Sequence, residues 1–200
     1  LDLQSLTRTF AIRSTEGFTE TFGPELIARV SAEAPLVQLS FLAKQDKDSA
    51  PLRDGRVDLE TGVIAQAMGP EIRALGLFRD RFVGVVRRGH RLSKGRMTPE
   101  RYAAARHVVV ERRGLRAAMV DDVLERKGLV SHVVATVGGF GPAIALARNS
   151  DIVATVPEKH TAGLCEGMHR FKLPVVVDDF TISLFWHPRL DADPAHRWLR

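Results

Sequence analysis

Short β-prone runs alternate with helical stretches along almost the whole of this 200-residue chain, and that alternation limits the fold more than any other feature. The runs at 9–13 (TFAIR), 37–43, 56–63, 82–86, 107–110, 130–137, 152–156 and 175–186 read as strands, the last as a strand-rich stretch. Between the first two, Phe18, Phe22, Leu26, Ile27, Val30 and Ala34 recur at helical spacing on one face. Pro24 either starts the main body of that helix or kinks it, and Pro35 stops it. A short helix ends near Gly55, and Thr98-Pro99-Glu100 starts another, with Thr as N-cap and Pro in the first turn. Leu115 to Lys127 is an amphipathic helix closed by Gly128 in a left-handed cap. Residues 141–148 form a short helix, Pro157 opens one more, and Asp193-Pro194 caps the last. Strand–helix alternation of this kind implies an α/β chain with mostly parallel sheets. There are too many strands for one unit of about 100 residues. Two similar Rossmann-like lobes fit better.

Composition narrows the partners. Hydrophobic residues make up 44% and charged residues 26% of the chain, ordinary values for a globular protein. The single cysteine, Cys165, excludes an intramolecular disulfide and fits a reducing compartment. No apolar run approaches the roughly 20 residues of a membrane span. The opening LDLQSLTRTF lacks the basic and apolar regions of a signal peptide, so a cytoplasmic protein is expected, although a segment taken from mid-protein would hide a leader. The net charge of +5 points toward anions. The basic residues are scattered, however, and the densest group (Arg87, Arg88, His90, Arg91, Lys94, Arg96) is broken by Gly89 and Gly95. That group reads as a solvated loop more readily than as a phosphate-binding surface.

Catalytic and metal motifs are missing. The histidines at 90, 107, 132, 160, 169, 187 and 196 show no metal-ligand spacing. Asp121-Asp122 and Asp178-Asp179 are adjacent pairs whose side chains diverge, so neither makes an acid/base dyad by spacing. Cys165, placed in a helix, has no base beside it in sequence. No P-loop, nucleophile elbow or complete Gly-x-Gly-x-x-Gly occurs, and no cofactor is expected.

Six pieces resemble, in order, the effector-binding domain of LysR-type transcriptional regulators. They are RTFAI at 8–12, the helix ending in Ala34-Pro35, LRDGRVDLETG at 52–62, FRDRFVGVVRRGHRL at 78–92, SDIVATVPEK at 150–159, and the closing WHPR, DP and HRWLR. Each is weak alone, and together they span nearly the whole chain. The closing motif looks most like the branch that answers to aromatic acids and flavonoids. Two positions depart from the pattern. Arg91 replaces a common Pro, a loop detail. Glu60 stands where the family carries a small apolar residue, and either alters the cleft or faces a solvated edge.

The resemblance implies a periplasmic-binding-protein type 2-like fold with a small ligand held between lobes, lobe I being 1–80 plus 180–200 and lobe II 81–179. It implies a non-catalytic sensor, a homodimer or homotetramer, with DNA reached only through a winged helix-turn-helix absent from these residues. Such lobes bind where strand ends meet helix N-termini, whose N–H groups favour carboxylate or phosphate. Ser14 and Thr15 offer hydroxyls at the first strand–helix junction, with plain N-capping equally open and Glu16 opposing an anion. Arg113 and Arg116 precede a helix of the other lobe, where an Arg can grip a carboxylate twice, although surface arginines are the blander reading. Gly138 and Gly139 let backbone approach a ligand, and Phe140 can stack on an aromatic ring or simply fill the core. Thr61 adds a hydroxyl, and Lys44 is an outside candidate. The alternatives are a transport-type solute-binding protein of the same fold, which predicts an export signal upstream, and an enzyme on the same scaffold, for which no convergent titratable set is found.

Overall fold

The computed structural model describes residues 1–44, 48–64, 69–111 and 118–200. The chain divides into two compact units, Leu1–Arg79 with Thr181–Arg200, and Asp80–Phe180.

In unit 1 the sheet order is β2-β1-β3-β10-β4, with β1 Arg8–Ser14, β2 Val37–Ala43, β3 Leu59–Gly62, β4 Arg73–Asp80 and β10 Phe180–Trp186. Strand β1 runs parallel to both β2 and β3, whereas β10 is antiparallel to β3. The sheet is therefore mixed, which corrects the expectation of mostly parallel sheets. Alternation in β10 sends Leu184 and Phe185 to two different apolar layers. Ile12, Leu59 and Leu184 pack with Leu26, Leu39 and Phe41, while Leu52, Val57 and Phe185 pack with Ile72.

The connection α1, Glu16–Glu33, is one helix with Pro24 inside it. Its buried positions are Gly17, Phe18, Gly23 and Val30, and Ile27 is about half exposed, so the apolar stripe expected from spacing is only partly the inner face. The short α2, Ala50–Arg53, ends before Gly55, which takes φ 77° as the turn requires.

Unit 2 has the order β7-β6-β8-β5-β9, with β5 Phe82–Val86, β6 Arg106–Val110, β7 His132–Val137, β8 Ile152–Pro157 and β9 His169–Lys172. Again three strands are parallel, β6 with β7 and β8, and β5 is antiparallel to β8 and β9. Two apolar layers cover this sheet. Val83, Val85, Ala154 and Val156 face α5, Phe140–Arg148, and Val86 and Val153 face Tyr102, from α3 (Pro99–Ala103), and Leu124, from α4 (Ala118–Glu125). Thr98 caps α3 through its side chain, as its residue type requires. Gly128 follows α4 with φ 72°, and Leu129 N–H returns to Leu124 O at 3.0 Å. No helix forms after Pro157. Residues 158–167 are consecutive turns, and Cys165 is buried there rather than in a helix. The turns are held by Asp80, whose buried carboxylate accepts from the Lys159 and His160 amides at 3.0 and 2.9 Å. The last helix, α6 (Pro194–Leu199), belongs to unit 1 and is capped by Asp193, which accepts from Ala195 N and His196 N.

Candidate functional site

In unit 1 the parallel strands β1, β2 and β3 end together, and four sequence candidates stand at that edge. Arg13 is level with Glu60, and Ser14 with Ala43, so Thr61 and Lys44 lie one step along from those partners. Lys44 N–H donates to Ser14 O at 2.9 Å, and Lys44 Nζ donates to Thr61 O at 3.1 Å. Gly62 makes room for this reach, since a Cβ there would lie 2.6 Å from Lys44 Nζ. Helix α1 starts at the same edge. Thr15 is its N-cap but makes no side-chain capping hydrogen bond, so the plain N-capping role does not describe its hydroxyl. The Ser14 hydroxyl is buried and lies 2.6 Å from the Thr19 hydroxyl.

The electrostatic centre of this edge was not foreseen. Glu60 is 1% exposed, which overturns the solvated-edge reading. Its Oε2 accepts from Arg13 Nε at 2.8 Å and Nη2 at 2.6 Å, and its Oε1 lies 2.5 Å from Lys44 Nζ. Arg13 also donates to Asp48 O, and Lys44 Nζ sits 5.7 Å from the centre of the Phe185 ring. Removing three charges from water together is tolerated only because each is paired and hydrogen-bonded. The triad carries two positive charges and one negative. Beside it, Thr61 Oγ1 is buried with no hydrogen-bond partner among the described residues, which is costly for a hydroxyl unless something else supplies one.

Among the described residues of unit 2, the corresponding edge carries Val110, Val137 and the start of α5. Gly139 is the N-cap of α5, in extended conformation (φ −163°), and no side chain caps the helix. Gly138 is exposed, and a Cβ on it would meet nothing within 4 Å. The Phe140 ring lies in the core among Val108, Val110 and Ile144, with the His160 ring 6.4 Å away. Arg113 and Arg116 lie outside the described residues.

The remaining polar groups are structural. Tyr102 OH and Thr155 Oγ1 are 2.6 Å apart, and burial pushes the phenol well above its ordinary range. His107 Nε2 donates to Tyr102 O at 2.7 Å, and burial lowers the imidazole's pKa. Burial raises the Cys165 thiol, which fits a structural rather than a nucleophilic group. Among the described residues no group of three or more His, Cys, Asp or Glu is placed to hold a metal ion, and no described helix is long and apolar enough to cross a membrane.

A family model described as the LysR substrate binding domain matches residues 3–200. The HTH-type transcriptional activator NagR of Ralstonia sp is 31% identical over 206 residues, covering 97% of this chain and 65% of NagR, so the chain spans about two thirds of that relative. The regulatory domain of MexT, a transcriptional activator in Pseudomonas aeruginosa, has a TM-score of 0.83 at 26% identity and is matched over 96% of each chain. The effector binding domain of QuiR in complex with shikimate has a TM-score of 0.74 at 17% identity, over 97% of this chain and 94% of that one, a likeness of fold alone.

Proposed function

This chain belongs to the LysR substrate-binding domain family, with its α/β, periplasmic-binding-protein type 2-like fold, and from that premise we propose that it senses a small carboxylate at the strand edge of unit 1. The effector's carboxylate sits against the N-terminus of α1, within reach of the Thr15 and Thr61 hydroxyls and of Lys44, and its binding alters DNA binding by the full-length protein. That coupling is limited by the difference in effector affinity between the DNA-binding states. DNA is reached through a separate helix-turn-helix part, the assembly is a homodimer or homotetramer, and the protein works in the cytoplasm. Its task is sensing without turnover.

The observation that carries the reading is the convergence at one edge of the α1 N-terminus, the buried Arg13 and Lys44 cations held by Glu60, and the Thr61 hydroxyl, which has no partner among the described residues. Each element is complementary to an oxyanion. The QuiR domain, alike in fold, holds shikimate, a precedent for a small-molecule effector on this fold. The family's regulators favour this reading over a transport-type solute-binding protein. The test is thermal melting of the chain against a panel of small aromatic and alicyclic carboxylates. The expected result is a saturable rise in melting temperature with at least one acid, reduced in Thr61→Val. A flat response across the panel contradicts the carboxylate assignment.

A further inference from the structure

The loop between β5 and α3 carries the densest basic group of the chain, and its backbone shows what keeps the cations together. It leaves the sheet of unit 2 where β6, β7 and β8 begin, the end opposite Val110 and Val137. Gly89 and Gly95 take φ of 74° and 76°, so they turn the loop rather than simply interrupt its charge. Buried His90 and Leu92 pin it: the Leu92 amide donates to His90 Nδ1 at 3.1 Å, and Ser93 Oγ donates to His90 O at 2.7 Å. Arg101 braces both halves, donating to Arg91 O at 2.6 Å and to Arg96 O at 3.1 Å. Arg91 in turn donates to Ala104 O at 3.4 Å. A carbonyl orders a guanidinium without cancelling its charge. Among the described residues, the carboxylate in ion-pair contact with Arg87, Arg88, Arg91, Lys94, Arg96 or Arg101 is that of Asp151, on Arg87. Glu100, next to Arg101 in sequence, has Lys127 as its charged neighbour. Arg88, Arg91, Lys94 and Arg96 are exposed, so a surplus of positive charge stands on an ordered surface loop.

We propose that this loop is a docking surface for the sugar-phosphate backbone of duplex DNA, held without regard to sequence. Fixed cations with few carboxylates among them match a row of phosphates, and contact releases counterions condensed on the duplex. Phosphate contacts fix position and carry no sequence information, so the loop adds to the helix-turn-helix part and does not replace it. A weak contact is enough, because a domain tethered to a DNA-bound part meets the duplex at high effective concentration. The choice of DNA rests on the regulator reading above, whereas the surplus of charge does not.

The experiment is fluorescence anisotropy of a labelled random-sequence duplex titrated with this chain over a series of salt concentrations. The expected result is binding at low salt, with log affinity falling against log salt at a slope of about −3.6, the value for one phosphate at each of the four exposed cations. Arg88→Gln/Lys94→Gln/Arg96→Gln lowers affinity at low salt at least about tenfold and brings the slope to about −0.9. Its melting temperature stays unchanged, since the three side chains are exposed. The control Arg29→Gln/Arg126→Gln/Arg197→Gln removes the same charge from exposed positions elsewhere and keeps the slope. Absence of binding at low salt, or equal losses in the two triple variants, overturns the proposal. Poly-glutamate that displaces the duplex equally well at matched charge assigns the loop to an acidic protein partner and overturns the DNA assignment. None of these variants touches the effector edge of unit 1, so the carboxylate panel succeeds or fails independently.

Discussion

The two units lay down the same pattern, three parallel strands followed by an antiparallel neighbour, yet the described residues at their parallel-strand ends differ in chemistry. In unit 1 the edge buries Arg13, Glu60 and Lys44 and leaves a hydroxyl without a partner among the described residues. Among the described residues at the equivalent edge of unit 2, Val110 and Phe140 belong to the apolar core. Backbone topology therefore does not place the charge. Substitutions at a few strand-end positions do, and they do so against a desolvation cost that apolar side chains never meet. A fold can keep such a cost when the site has a use for the charge.

The comparison predicts different consequences for the two edges. The largest effect is expected from Phe140→Ala, where emptying a core position costs about 4 kcal/mol in urea denaturation. It should alter effector response only in proportion to lost stability. Glu60→Gln should cost about 3 kcal/mol, because it removes the buried carboxylate that Arg13 and Lys44 share. Arg13→Gln/Glu60→Gln should recover much of that loss, whereas no second change at the unit 2 edge restores Phe140→Ala so simply. A double variant as unstable as Glu60→Gln would mean that packing, not charge, governs the unit 1 edge.

Acidity offers a third contrast. Burial lowers the pKa of His90 and His107 in unit 2 and of His196 in unit 1 below the ordinary 6.5. The unfolded chain then takes up protons before the folded chain does. Stability is complete above that value, falls as pH drops through it, and levels off only below the lowered folded values. Melting curves between neutral and mildly acid pH should show this decline. Hydrogen exchange should rise first in unit 2, which holds two of the three, and a decline confined to unit 1 would contradict that assignment.

The smallest effect on stability is expected from Thr61→Val. It removes a buried hydroxyl that has no partner among the described residues, so stability should hold or rise by up to about 1 kcal/mol. Effector affinity should nevertheless fall.

The strand–helix alternation was legible in the sequence because the central strands are runs of Val, Ile and Phe with both faces covered. The strands β4 and β9 were not, since Arg73–Asp80 is largely exposed and His169–Lys172 is a short polar run paired only through β5. The turns after Pro157 looked helical because Pro often opens a helix, but the Lys159 and His160 amides go to Asp80, a partner about 80 residues away. At the site, Ser14, Thr15, Lys44 and Thr61 were readable as strand-end polar residues. Arg13 was passed over, and Glu60 was noticed only as a departure. Their signal is a pair of opposite charges inside apolar strands, and it becomes meaningful only once the β1–β3 register sets them side by side, 47 residues apart in sequence.

The most direct measurement is amide chemical-shift mapping by NMR while a small carboxylate that stabilises the chain is titrated in. The account predicts saturable shifts concentrated at Ser14, Thr15, Lys44, Thr61 and Gly62. Shifts that saturate with this group unmoved would place the effector elsewhere and contradict the central claim.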